Sequence, residues 1–409
     1  MPWKSGRTLL VWSCVGLVLV APVVLISYRP VDHWFDIGHH PLGVDFVNIW
    51  SAPRIAWREG VMAVFDPDAY YAALITLFRP EIDFYVWVYP PTTLLFATPF
   101  SLPPYWLALT AWTFGGLAIY GAVVLAQVAP GQRNFALLIL LVAPATIVNT
   151  VAGQNGFFTA ALLLGGVALL ERRPWVAGVP FGLLVIKPHL ALLVPVALLA
   201  IGAWRTIAAA VATSAIVVVC TLATWGVDPW IAWFTKAGPF AYHDLERFQG
   251  FHRLMMPSAF ASLRASGASS NFASITQLII GLAMVAVTAI VFRKTNDRNL
   301  RALVLASGAL LASPYAYHYD MTAVTGAILW TMVSDRTSTR LDPWFFGLAW
   351  ALPAAIYYLH ILHLGVSPLV IGGVYGMAVM CVIRHSHAPT AECVPNALTP
   401  RPVRQLASN

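Results

Sequence analysis

The sequence has 409 residues, of which 59% are hydrophobic and only 10% are charged, and its formal net charge is +7. A soluble domain carries about 25% charged residues, so this composition excludes an ordinary water-soluble globular fold. Apolar runs of about 18 residues or more recur along the chain, each long enough to cross about 30 Å of hydrocarbon as a helix. We therefore predict an all-α polytopic membrane protein, and we read the basic residues as connectors between spans rather than a nucleic-acid-binding surface.

The first apolar run, 9–27, follows two basic residues, Lys4 and Arg7. This arrangement resembles a signal peptide. However, the run is longer than a typical signal-peptide core, and no clear A-x-A cleavage site follows it. We predict an uncleaved first span with a cytoplasmic N-terminus.

A polar segment, 28–88, follows the first span. Its stretch VNIWSAPRIAWREG (47–60) places apolar residues and two tryptophans at helical spacing, which predicts a short helix in the membrane interface with its tryptophans at headgroup level. The stretch VFDPDAYY (64–71) predicts a turn into a second short helix. Asp45 then lies where the first span ends and the interfacial helix begins.

Short basic connectors orient the later spans, because Lys and Arg are enriched in cytoplasmic loops. They lie at 171–175, 204–206, 292–301 and 334–340, and the tail from Arg384 joins them. Between them the apolar runs pair as exits and returns: 206–226 with 274–292, 301–314 with 318–333, and 343–360 with 366–383. A second outer loop, 227–273, connects the first of these pairs.

The run 175–203 lies between two cytoplasmic connectors, so it must leave and return as two short helices. We predict that these helices meet near Lys187 and Pro188, where the apolar run is broken. Broken helices at membrane depth occur where the backbone lines a polar cavity.

The segment 89–104 is short for a membrane-spanning helix. The number of crossings between residues 28 and 131 therefore does not agree with the sides assigned to the two ends of this stretch. We predict about 11–13 spans with interfacial helices in the first outer loop. These form one membrane domain, 1–386, followed by a Pro-rich, disordered cytoplasmic tail, 387–409.

This orientation collects polar side chains on the outer side of the membrane, a bias that helix packing alone does not require. They are Asp45, Gln154, Asn155, Lys187, His243, Arg247, His252, His318, Asp320, His360 and His363.

Three stretches together resemble glycosyltransferase family 87, the polyprenyl-phospho-mannose-dependent mannosyltransferase type of the GT-C class of membrane glycosyltransferases. They are GVDFVNIW…AWREG…VFDPDAYY…FYVWVYPPTTLLFATPF, GQNGFFTAALLLGGVALLERRPWVAGVPFGLLVIKPHLALLVP (153–195) and SPYAYHYDM (313–321). The acidic residue, Tyr-Pro-Pro, Gly-Gln-Asn and Lys-Pro occur in the family's order. The resemblance covers roughly residues 40 to 330 and implies a GT-C-like fold.

The resemblance implies that Asp45 is a general base that takes the proton of an acceptor hydroxyl in an inverting sugar transfer. The alternative is a helix N-cap or a loop carboxylate that faces water. Lys187 would stabilise the charge that develops on a departing lipid phosphate. The alternative is a lysine that snorkels to the interface.

His318 would hydrogen-bond the donor phosphate or orient Asp45, and Asp320 would hold His318 in one tautomer or bind sugar hydroxyls. The alternative is a structural His–Asp pair that caps the next helix. Gln154 and Asn155 would bind sugar hydroxyls, or else they simply start a helix between two turn glycines. The loop 241–260 either covers the site and recognises the acceptor or is an ordinary solvated loop.

The functional hypothesis is transfer of a hexose, mannose by resemblance, from a polyprenyl-phosphate donor to a glycolipid or glycan of the cell envelope. The expected location is a bacterial plasma membrane, with the site facing the exterior and both termini in the cytoplasm. We predict no cofactor and no metal, since His33, His39 and His40 lack ligand spacing. The competing hypotheses are a polytopic transporter or flippase and an envelope acyl or phospho-group transferase.

Overall fold

The computed structural model describes residues 2–27, 35, 40–333 and 343–387. The predicted connector 334–340 and the predicted disordered tail, apart from His387, lie outside the described residues. Within the described ranges the regular structure is helical, apart from an isolated antiparallel β-bridge between Phe35 and Pro41. The predicted all-α fold is confirmed.

The first half of the chain contains eleven α-helices in its described part. They are α1 (Pro2–Ser27), α2 (Phe46–Arg58), α3 (Val61–Val64), α4 (Pro67–Leu77), α5 (Pro91–Ser101), α6 (Tyr105–Leu125), α7 (Arg133–Leu141), α8 (Pro144–Ala152), α9 (Gly156–Leu169), α10 (Pro174–Leu183) and α11 (Leu193–Ala200).

The second half continues with both long and short helices. These helices are α12 (Trp204–Trp225), α13 (Asp228–Ala232), α14 (Gly238–Arg247), α15 (Ala259–Ala265), α16 (Ser270–Lys294), α17 (Arg298–Ala312), α18 (Thr322–Val333), α19 (Pro343–Ile361) and α20 (Ser367–His387). Their ends fall within a few residues of the predicted exits and returns.

Six helices in the described ranges are long and apolar enough to cross a membrane: α1, α6, α12, α16, α19 and α20. The count is seven if Pro130–Leu141 and Pro144–Ala152, which bend by 51°, form one broken span. The predicted count of 11–13 therefore depends on shorter apolar helices, such as α9 and α17, crossing inside the helix bundle.

The predicted break near Lys187 is confirmed. After α10 a 3₁₀ turn ends at Ile186, Lys187 leaves helical geometry with φ −144°, and Pro188 starts a second 3₁₀ turn. A break at this depth frees backbone carbonyls that need donors. The hydroxyls of Thr92 and Thr93 in α5 supply them, donating to the carbonyls of Val185 and Ile186.

The first outer segment contains the predicted short helix, α2, but this helix is packed into the protein along one face. Its buried residues face α5, and only Trp57 among its tryptophans is exposed, at 58%. Trp50 instead donates to the carbonyl of Pro103 at 3.0 Å. The placement of the tryptophans at headgroup level stays a prediction, and the connector after α5 offers the indole N–H of Trp50 an acceptor.

The connectors assemble into two separate groups at opposite ends of the helices. At one end the Asp45 N–H donates to the carbonyl of Ala152 at 3.1 Å, and His360 Nδ1 lies 3.0 Å from the carbonyl of Leu254. At the other end Arg301 pairs with Glu171. These two groups are the ones that the basic-residue pattern assigned to opposite sides of the membrane.

Two glycines let α10 pack closely on α12. A Cβ added at Gly178 would lie 2.5 Å from the carbonyl oxygen of Thr206, and one at Gly182 would lie 2.5 Å from the carbonyl oxygen of Ala210. Their four-residue spacing is the small-xxx-small pattern that brings membrane helices into backbone contact. The Ser214 hydroxyl donates to the Gly182 carbonyl across this contact at 2.9 Å.

We expect Gly178→Ala to lower the free energy of unfolding by about 1–3 kcal/mol, because the added methyl overpacks a backbone contact. Thermal unfolding of the detergent-purified protein would measure the change. Gly115→Ala is the matched control, since a Cβ at Gly115 meets nothing within 4 Å. Equal unfolding temperatures for the two variants would contradict the close packing of α10 on α12.

Candidate functional site

Five of the six predicted site residues lie in one hydrogen-bonded network at the end of the bundle that holds the predicted outer connectors. They are Asp45 before α2, Gln154 and Asn155 between α8 and α9, Lys187 at the break after α10, and Asp320 in the 3₁₀ turn before α18. Each comes from a connector or break, where the backbone leaves regular helix and can aim a polar side chain inward.

Asp45 occupies the N-cap position of α2, yet its side chain makes no capping hydrogen bond. Its Oδ2 instead accepts a hydrogen bond from Gln154 Nε2 at 2.9 Å. The N-cap alternative is therefore not supported. Desolvation raises the pKa of Asp45, and the hydrogen bond from Gln154 and the charge of His252 oppose that rise without cancelling it.

The turn that carries Gln154 and Asn155 requires glycine at both ends. Gly153 ends α8 in the left-handed region with φ +61°, and a Cβ there would lie 2.2 Å from the carbonyl oxygen of Gly43. A Cβ at Gly156 would lie 2.4 Å from the carbonyl oxygen of Tyr319. The glycines thus bring this turn against the residues before α2 and before α18.

Gln154 links Asp45 to a tyrosine that sequence reasoning did not select. Its Oε1 accepts from the Tyr89 hydroxyl at 3.1 Å and from the Asn155 N–H at 3.3 Å. Because the carboxylate of Asp45 can only accept, the network assigns which end of the Gln154 amide is the donor. The signal for Tyr89 in the sequence was its place directly before Pro90 and Pro91, where an extended segment turns into α5.

Lys187 and Asp320 form a buried ion pair. Lys187 Nζ lies 2.6 Å from Asp320 Oδ1, and the two side chains are only 3% and 0% exposed. The ammonium also donates to Asn155 Oδ1 at 3.0 Å and lies 4.8 Å from the centre of the Tyr319 ring. This burial does not fit a lysine that snorkels to the interface.

Asp320 does not hold His318, so the predicted His–Asp pair is corrected. One oxygen of Asp320 binds Lys187, and the other accepts from the Tyr317 N–H at 3.0 Å, which ties down the turn that starts α18. His318 packs edge-to-face on Tyr319, with ring centroids 5.6 Å apart. It makes no hydrogen bond to Asp45 or Asp320 within the described residues. Asp320 thus pairs with a buried cation 133 residues away in the sequence rather than with the imidazole two residues before it.

Part of the second outer loop packs on the turn that carries Asp320. Tyr317 in that turn packs against the apolar cluster of the loop, formed by residues such as Met256 and Phe260, and against a second cluster that includes Val20 of α1. The loop is held in place from the other side, because His363 Nδ1 lies 2.7 Å from the carbonyl of Ala265. This part of the loop therefore packs on the helix bundle, and its role in covering the site or recognising the acceptor stays a prediction.

No group of three or more His, Cys, Asp or Glu side chains suited to a metal ion occurs in residues 40–333 and the other described ranges. His40 pairs with Asp83 at 2.7 Å, while His33 and His39 lie outside the described residues. The absence of a metal stays a prediction.

The model of glycosyltransferase family 87 matches residues 87–314, more than half of the chain. No curated protein and no solved structure gives a significant match. The matched segment contains Gln154, Asn155 and Lys187, whereas Asp45, His318 and Asp320 lie outside it.

The buried pair predicts strong coupling between Lys187 and Asp320. Removing one partner leaves an uncompensated buried charge, so we expect Lys187→Met and Asp320→Asn each to cost about 3–5 kcal/mol of unfolding free energy. The double variant should cost clearly less than the sum of the two single variants. A double-mutant cycle of thermal unfolding tests this, and additive costs would contradict the pair.

Proposed function

The chain belongs to glycosyltransferase family 87, and we propose that it transfers a hexose, with mannose as the first sugar to test, from a polyprenyl-phosphate donor to a hydroxyl of an envelope glycolipid or glycan. The observation that carries this proposal is the Asp45 carboxylate, partly exposed and held by a neutral amide at the mouth of a buried polar network. Family membership supports the glycosyltransferase. The finer identities of donor, sugar and acceptor are part of the proposal.

Asp45 is the proposed general base. The acceptor oxygen attacks the anomeric carbon while its proton passes to the Asp45 carboxylate, and the bond between that carbon and the donor's phosphate oxygen breaks. The electron pair leaves with the polyprenyl phosphate, and the sugar configuration inverts. A base must be within hydrogen-bond reach of the hydroxyl, and the second oxygen of Asp45 has no hydrogen-bond partner in the described part of the chain.

Gln154 and Asn155 are proposed to position the base and the sugar. Gln154 holds one Asp45 oxygen, which leaves the other to face the acceptor. The Nδ2 of Asn155 is a buried donor without a partner among the described residues, and a sugar hydroxyl would satisfy it. Contact between Lys187 and the donor phosphate stays a prediction, since in this structure the ammonium is paired with Asp320.

The proposed location is a bacterial plasma membrane with Asp45 on its outer side and both termini in the cytoplasm. Two features support this orientation. The base lies at the end of the bundle opposite Arg301 and Glu171, and the neighbouring connectors 171–173 and 292–301 are rich in basic residues, as cytoplasmic connectors are. A polyprenyl chain can remain in the bilayer while its phosphate reaches that end.

A transporter or flippase is not supported by the family assignment. An acyl or phospho-group transferase would also place His and Asp at one end, but it would not release free polyprenyl phosphate from a polyprenyl-phosphate sugar. Detection of that product is the simplest assay that separates the glycosyltransferase from these alternatives.

We expect Asp45→Asn to reduce sugar transfer by about 10²- to 10⁴-fold, because an amide cannot accept the proton. The measurement is transfer from a labelled polyprenyl-phosphate hexose to membrane acceptors, with release of polyprenyl phosphate. The Asn side chain can still accept the Gln154 hydrogen bond, so the fold should persist.

Asp83→Asn is the matched control for this change. Asp83 is a carboxylate of the same outer segment, but its side chain is exposed and pairs with His40. Its amide variant should keep transfer within about twofold of wild type, as expected for surface substitutions. Full activity in Asp45→Asn would refute the assignment of the base.

The raised pKa of Asp45 predicts the acid side of the activity profile. The base acts when deprotonated, so kcat/KM should fall as pH drops through a value above the ordinary 3.8 of an aspartate. The Gln154 hydrogen bond lowers this pKa, and Gln154→Leu should therefore move the acid limb to higher pH. An acid limb that stays in place or moves to lower pH would contradict the role of Gln154.

A further inference from the structure

Arg253, in the loop between α14 and α15, carries donors that the described part of the chain does not satisfy. Its side chain is 3% exposed, and its Nε and Nη1 are buried without a hydrogen-bond partner among the described residues. A buried charged donor without an acceptor costs free energy, and such groups in a folded protein need an explanation. The unsatisfied nitrogens therefore indicate an acceptor that is not part of the chain.

The local carboxylate compensates this charge only in part. Arg253 Nη2 pairs with Asp244, but Asp244 is 38% exposed and its other oxygen lies 3.1 Å from His252 Nε2. One carboxylate is thus shared between two basic side chains. An additional anion would complete the cluster.

The position of this cluster relates it to the proposed base. The charge of Arg253 opposes the rise that burial causes in the pKa of Tyr317, and the charge of His252 opposes the rise in the pKa of Asp45. Tyr317 packs both on the apolar cluster of this loop, which includes Met256, and on a second cluster that includes Val20 of α1 and Ala354 of α19. Arg253, three residues before Met256, therefore lies in the part of the loop that packs on the turn carrying Asp320.

The backbone around Arg253 is held in place. The neighbouring carbonyl of Leu254 lies 3.0 Å from His360 Nδ1, and His360 Nε2 lies 3.1 Å from the Ser262 hydroxyl. This contact anchors the turn 251–255 to α19 independently of Asp244. A preorganised guanidinium with free donors is suited to bind phosphate oxygens by charge-assisted hydrogen bonds.

Resting on the proposed glycosyl transfer, we infer that Arg253 is a donor-binding residue that holds the phosphate of the polyprenyl-phosphate sugar through its free Nε and Nη1 donors. Lys187 is already paired with Asp320, and Arg301, which also has a free Nε, lies at the opposite end of the bundle beside Glu171. At the end that holds Asp45, Arg253 is the buried cation with free donors among the described residues. The phosphate stays bound to Arg253 after the sugar leaves, which stabilises the departing phosphate monoester.

The test measures binding of a polyprenyl phosphate, and of the uncharged polyprenol of the same length, to the purified full-length protein in nanodiscs. Wild type should prefer the phosphate by about tenfold or more. Arg253→Gln should bind the phosphate about 10- to 100-fold more weakly and the polyprenol unchanged. Unchanged polyprenol binding also shows that the variant is folded.

Two further variants separate phosphate binding from a structural role. Asp244→Asn breaks the same ion pair from its other side but frees Arg253, so phosphate binding should be kept or strengthened. Arg253→Lys keeps the charge and should recover part of the preference. Equal losses in Asp244→Asn and Arg253→Gln would overturn the inference, because they would reduce Arg253 to a partner of Asp244.

Competition identifies the source of the phosphate, and a separate transfer assay isolates the inference from the proposed function. If phosphatidylglycerol displaces bound polyprenyl phosphate as effectively as unlabelled polyprenyl phosphate does, the assignment of this site to the sugar donor is refuted. If the wild type transfers sugar but Arg253→Gln keeps its preference for the phosphate, the assignment of Arg253 as the phosphate-binding residue is refuted, while the proposed glycosyltransferase function stands. If the wild type prefers the phosphate but transfers no sugar, the proposed glycosyltransferase function is refuted, while a phosphate-binding site at Arg253 stands.

Discussion

The buried pair of Lys187 and Asp320 is the interaction on which the rest of the site depends. A charge at this depth is tolerated only with a partner and hydrogen bonds, so the pair fixes the break after α10 against the turn before α18. The ammonium also holds the Asn155 amide, and the adjacent Gln154 holds Asp45. The position of the proposed base is thus set by an ion pair that does not touch it.

Close backbone contacts make this arrangement compact. The two glycines around Gln154 and Asn155 bring the α8–α9 turn within contact distance of the backbone at Gly43 and Tyr319. A side chain at either glycine would push these segments apart and lengthen the hydrogen bonds of the network. The glycines therefore act on the chemistry indirectly, because they decide which polar side chains can meet.

The local structure was largely predictable from the sequence, and the partners were not. Apolar runs, Pro188 and the spacing of α2 predicted helices and one break that the structure confirms, because those signals are local. The pairing of Asp320 with Lys187 joins residues 133 positions apart, and no periodicity encodes it. For the same reason the neighbouring His318 was the natural but wrong partner for Asp320.

The two carboxylates at this end of the bundle have environments that favour different roles. Asp320 is fully buried, is paired with an ammonium and accepts a backbone N–H, so both of its oxygens are already engaged in holding Lys187 and the turn before α18. Asp45 is partly exposed, accepts its side-chain hydrogen bond from the neutral amide of Gln154, and has a pKa that desolvation raises. Two nearby titratable groups in contrasting environments are a common arrangement for dividing acid–base work from structural work. A proton from an acceptor hydroxyl is therefore better received by Asp45, while Asp320 keeps the buried cation in place.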